Sequence, residues 1–152
     1  MTHRSLRKHM LGLAAVEFAI CAPLLFLLLF ATAEIGRLLF QYNTLTKAVR
    51  DGARYVATHS AVGTTRVVNI TTQVKTETQN LVVRGNTTAT GTPVLPSFAP
   101  ASVAVTNAGN GFVSVSATYT FQPVFASLPT FVANTHLSLA LPLSATVTLR
   151  AL

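Results

Sequence analysis

An apolar run from Leu13 to Ala33, broken by a single charged side chain, Glu17, constrains this chain more than any other feature. As a helix, residues 13–33 would span about 30 Å at 1.5 Å per residue, the thickness of a bilayer's hydrocarbon core. One membrane span fits, with Pro23 inviting a kink that a membrane helix can tolerate. A carboxylate at the centre of such a span costs roughly 2.5–3.5 kcal/mol on insertion scales, so Glu17 calls for a reason. Arg4, Arg7 and Lys8 precede the run and no acidic residue does. By the positive-inside rule the N-terminus is then cytoplasmic and the remainder lies outside.

The same segment satisfies a second pattern. Basic residues, an apolar stretch from Phe18 to Phe30 and the small residues Ala31-Thr32-Ala33 make a signal peptide with cleavage before Glu34, which would release an exported soluble binding protein. Against that, the apolar run from Met10 to Phe30 exceeds an ordinary signal core, and helical spacing continues past Ala33. Half of the 152 residues are hydrophobic and a tenth are charged, a balance suited to a membrane-tethered chain. Of the basic residues behind the net charge of +7, Arg4, Arg7 and Lys8 sit before the span and most of the others are scattered along the chain. With no dense basic stripe interleaved with aromatics, nucleic acid is not an expected partner.

Leu38, Tyr42, Leu45, Val49, Ala53 and Val56 recur at steps of three and four, so the helix is expected to run from about Leu13 to Thr58 with an apolar stripe beyond the membrane. Arg50, Asp51 and Arg54 fall off the stripe and read as a solvated face. Glu34 and Arg37 lie three apart and can form a local pair contributing a few tenths of a kcal/mol.

Gly12 followed by Leu13-Ala14-Ala15-Val16-Glu17-Phe18, then Pro23-Leu24-Leu25, Glu34-Ile35-Gly36-Arg37 and Ala48-Val49-Arg50-Asp51-Gly52-Ala53-Arg54 resembles the TadE-like family, bacterial pilin-like proteins of Flp (tight-adherence) pilus systems. The resemblance is dense over residues 12–58 and general beyond them. It implies a minor pilin or pseudopilin cut by a prepilin peptidase after Gly12, with Leu13 the first mature residue and Glu17 the fifth. It also implies an inner-membrane location with the head outside, and other pilin subunits and the assembly machinery as partners. In related pilins the glutamate is thought to neutralise a neighbouring subunit's N-terminal amine; the plainer account is that Glu17 snorkels to the interface. For Glu34 and Arg37 the resemblance suggests a use at the membrane boundary or in subunit contact.

Past Thr58, residues 59–64 read as a break, and Val67, Ile70, Val74, Thr78 and Leu81 predict a second helix from Thr65 to Leu81. Residues Arg84–Pro100, rich in glycine, threonine and proline, predict a long mobile loop. Ser102–Thr106 and Phe112–Phe121 alternate about Asn107-Ala108-Gly109-Asn110-Gly111 and predict a hairpin; His136–Leu149 predicts a third strand, at an edge or bulged because of Pro142. The expected fold is α+β and pilin-like: leader 1–12, transmembrane helix 13–33, its extension 34–58 and an α+β head 59–152. His3, His9, His59 and His136 have no metal-ligand spacing, Cys21 stands alone, and no phosphate-binding glycine loop or carboxylate pair occurs. Neither a cofactor nor an enzymatic activity is expected. Asn69-Ile70-Thr71 and Asn86-Thr87-Thr88 match the glycosylation acceptor pattern, as threonine-rich chains do by chance.

Overall fold

Leucine and alanine are the commonest residues in the first third of the chain, and one α-helix, α1 (His3–His59), consumes it. The computed structural model describes residues 3–62, 67–124, 127–129 and 136–152, with side chains described from Ala14 onward except at 62, 127–129 and 136–138. The helix starts ten residues before the expected Leu13, because residues 3–12 contain no proline and mostly good helix formers. Pro23 lies inside it. Threonines are accommodated by bonding back along the helix: Thr32 Oγ1 donates to the Leu28 carbonyl at 2.8 Å, and Thr44 and Thr46 do the same to Phe40 and Tyr42 at 2.9 Å. The chain divides into two units, residues 1–37 and 38–152. The first is helix alone.

The second unit contains the rest of α1 and the α+β head. After α1, β1 (Ala61–Val62) and β2 (Val67–Val68) form a short antiparallel ribbon, with Ala61 opposite Val68. This ribbon displaces the start of α2 (Thr72–Arg84), which the sequence placed at Thr65: Val67 and Val68 are paired as strand, and Thr71 caps the helix by accepting from the Val74 N–H at 3.2 Å. The helix ends at Gly85, which adopts φ +74° and returns its N–H to the Leu81 carbonyl at 2.8 Å. Its buried side is Thr78, Asn80, Val82 and Val83, so the apolar row passes through Val82 and not through Leu81 as expected.

Residues 85–99 carry no helix or strand, as predicted, yet they are fastened. Leu95 and Phe98 are buried, the Val94 N–H donates to the Val83 carbonyl at 2.8 Å, and Asn80 Nδ2 donates to the Thr87 carbonyl at 3.3 Å. Two buried anchors and those bonds replace the mobility that composition suggested.

A short 3₁₀ turn (Pro100–Ser102) leads into β3 (Val103–Gly109), which pairs antiparallel with β4 (Phe112–Thr120) as the alternation predicted. Gly109, Asn110 and Gly111 all have positive φ, between 52° and 81°, and the Asn107 Oδ1 accepts from the Gly109 N–H at 2.8 Å where the register shifts. The third strand is shorter than expected. β5 (Ser127–Pro129) and β6 (His136–Ser138) form a separate two-stranded ribbon, and β7 (Pro142–Arg150) begins afresh. Between β6 and β7 the Leu141 N–H bends back to the Leu139 carbonyl at 2.9 Å, and Pro142, lacking a donor, opens the strand.

The sheet order is β3-β4-β7, which puts β7 at an edge, one of the two placements that Pro142 suggested. Its inward row runs Val103, Val105, Val113, Val115, Ala117, Tyr119, Leu143 and Ala145, all buried. Leu45, Val49, Ala53 and Val56 of α1, each 0% exposed, join that row and Val82 and Val83 of α2 in one core. Tyr42, expected on the stripe, is 42% exposed while Gln41 is buried; a tyrosine can rest its ring on apolar neighbours and keep its hydroxyl in water. α1, α2 and β4 meet at Gly52, where a Cβ would strike the Val82 side chain and touch Thr78 and Val115.

Candidate functional site: the N-terminal helix

From Ala14 to Phe40, α1 presents large apolar side chains to its surroundings: Val16, Phe18, Ile20, Leu24 to Phe30, Ile35, Leu39 and Phe40 are all exposed. No soluble helix of this length would leave such a surface to water. The described residues contain one helix long and apolar enough to cross a membrane. Such a helix fits a single-pass membrane protein.

Within it the candidate processing residues are ordered along one helical backbone. Gly12, Leu13 and Glu17 all lie in α1, and Glu17 follows Leu13 by four residues, about one turn or 6 Å along the axis. Glu17 is exposed, among exposed alanine, valine and phenylalanine neighbours. The Gly12–Leu13 peptide bond is helical, so a protease that binds extended chain would have to unwind it. Glycine lowers that cost, being about 1 kcal/mol poorer than alanine in a helix.

Residues 12–54 match the TadE-like protein family model. The matched stretch opens on Gly12, takes in Glu17, Glu34 and Arg37, and closes at Arg54, inside the part of α1 that enters the core. No curated protein and no solved structure matches the chain.

Glu34 and Arg37 form the pair their spacing predicted. Arg37 Nη1 donates to both carboxylate oxygens of Glu34 at 3.2 Å, with Glu34 8% exposed and the Arg37 side chain 43% exposed. A pair with one partner this open to water contributes a few tenths of a kcal/mol. Arg50, Asp51 and Arg54 are exposed, as a solvated face should be. Cys21 is a free, exposed thiol on the apolar helix. Among the described residues no group of histidine, cysteine and carboxylate side chains could hold a metal ion.

One polar contact escaped the sequence reading. The Tyr55 hydroxyl donates to Glu77 Oε2 at 2.6 Å, tying α1 to α2, and Gln73 Nε2 donates to Oε1 of the same carboxylate at 2.9 Å. The Tyr55 bond holds the Glu77 carboxyl below its ordinary value, helped by Gln73 and by His59, against a small opposing effect of burial. The same bond, with burial and the nearby negative charge, raises the Tyr55 phenol. His59 stacks on the Tyr55 ring with centroids 4.1 Å apart. Tyr55 and Glu77 are twenty-two residues apart, and no periodicity links them.

Proposed function

We propose that the chain is a TadE-like minor pilin or pseudopilin of a Flp-type pilus, inserted once in the bacterial inner membrane with its N-terminus cytoplasmic and its head outside. A prepilin peptidase removes residues 1–12, so the protein is the substrate of an enzyme and not itself one. The observation that carries this reading is the family match beginning at Gly12, on a helix whose exposed apolar surface contains one carboxylate five residues into the proposed mature chain.

Cleavage would change the physics of that carboxylate. In the uncut chain Glu17 sits mid-helix, where the backbone donors are already used. After the cut the helix begins at Leu13, and Glu17 lies near a terminus with unpaired N–H groups, the positive end of the helix dipole and a new ammonium. A neighbouring subunit's ammonium completes the pairing in a low-dielectric setting, where either charge alone is unfavourable. Glu34 and Arg37 then serve at the membrane boundary or in subunit contact.

Mass spectrometry of the mature N-terminus in a host carrying the pilus system tests the proposal. A chain starting at Leu13 is expected. One starting at Glu34 would show signal-peptidase release of an exported soluble binding protein, and an intact Met1 would show a plain membrane anchor.

A further inference from the structure

The helix α1 and the edge strand β7 flank an open groove lined by Lys47, Arg50, Asp51, Arg54, Val147 and Leu149. Both sides belong to the second unit, so nothing about this surface depends on cleavage at Gly12. Along β7 the inward row opens progressively: Leu143 and Ala145 are buried, whereas Val147 and Leu149 are half-buried and form an apolar floor. Among the described residues β7 is paired only with β4, through all nine of its residues, and its other edge presents backbone donors and acceptors unused by any strand.

Among the described residues the charge on the groove is compensated only in part. Lys47, Arg50 and Arg54 make no ion pair with a described residue, and the chain has four acidic residues in all. Glu17 lies in the apolar run, Glu34 is held by Arg37, and Glu77 is held by Tyr55 and Gln73. Asp51 alone stands beside the three cations. A second copy, itself carrying +7, would bring more repulsion than neutralisation. The groove therefore suits a different, acidic protein.

We propose that this groove receives an extended acidic segment of another protein, which adds to β7 as a fourth strand. Side chains alternate across a strand, so every second residue of the added segment would face α1. Glutamate at those positions would lay its methylenes on Val147 and Leu149 and set its carboxylate against Lys47, Arg50 and Arg54. The other residues would lie beside Ser144, Thr146 and Thr148, which are exposed on the outer face. Backbone pairing supplies affinity and the carboxylates supply selection, the usual division in strand addition.

The test uses the full chain in detergent micelles and a synthetic octapeptide alternating threonine and glutamate. Binding is expected, weakening as salt rises, with slowed amide exchange along β7. The double variant Arg50→Glu with Arg54→Glu should weaken binding by about tenfold or more; both side chains are exposed, so the change tests charge and not folding. The same peptide with lysine for glutamate, or with a central proline, should not bind. Equal binding of the proline peptide, unchanged β7 exchange, indifference to the double variant, or no binding at all would overturn the proposal. Tighter binding of an oligonucleotide or of phosphatidylglycerol vesicles at the groove would overturn it too.

Discussion

Glu17 and Gly52 are single residues whose value depends on what surrounds them. Glu17 is exposed on an apolar helix, and its proposed use arises only once Leu13 becomes a terminus. Glu17→Ala removes the carboxylate and leaves Gly12 and Leu13 intact. The expected outcome is normal cleavage by immunoblot with failure to enter the assembly; normal pilus formation would defeat the charge-pairing role. Gly52 is constrained by close approach, since a methyl group there meets Val82. Gly52→Ala should overpack the junction at a cost of about 1–3 kcal/mol, of which better helix propensity returns about 1 kcal/mol. Gly36→Ala, where nothing lies within 4 Å, should be neutral or slightly stabilising. Urea unfolding of the full chain in micelles compares the two, and equal midpoints would mean that the junction yields freely.

Among the elements, α2 shows how local chemistry fixes ends that periodicity places badly. Apolar spacing ran the helix back to Thr65, but Val67 and Val68 are taken by β2, and the helix starts after them with Thr71 as its cap. At the other end Gly85 holds φ +74°, a conformation costing a residue with a Cβ roughly 1–2 kcal/mol. Nothing crowds the space around it, so Gly85→Ala tests conformation alone. A loss of about 1 kcal/mol is expected there, and a similar loss for Thr71→Ala from the missing cap. Circular dichroism melts would register both as lowered midpoints. The edge strand β7 follows the same logic: Pro142 can start a strand but cannot donate within one, and the break at 139–141 separates the ribbon from the sheet.

Across the whole molecule, contacts distant in sequence set the pH response of the head. Glu77 has a lowered carboxyl, so its bond with Tyr55 contributes fully above the ordinary glutamate range and is lost as pH falls through the lowered value. Tyr55 has a raised phenol, so its share is present below the ordinary tyrosine value and is lost as pH rises through the raised one. Tyr55→Phe should therefore lower the melting midpoint near neutrality, and the gap from the parent should close as acidification carries pH below the ordinary glutamate range and through the lowered value. A gap constant with pH would mean that the loss does not depend on the ionised Glu77 carboxylate, since phenylalanine keeps the ring and removes only the hydroxyl. Read alone, the sequence determined the membrane-length helix, its apolar stripe into the head and the hairpin, because each is a local periodicity or a glycine constraint, and it narrowed the last strand to an edge or a bulge. Gly12 and Glu17 lie within residues 12–54, which match the TadE-like protein family model. Only the tertiary structure decided that Val82 and Val83 are core, that Leu95 and Phe98 fasten the loop, that Tyr55 reaches Glu77, and that three arginine and lysine side chains share a groove with β7. Those depend on which faces meet across tens of residues, and that choice is made by packing, to which local spacing is blind.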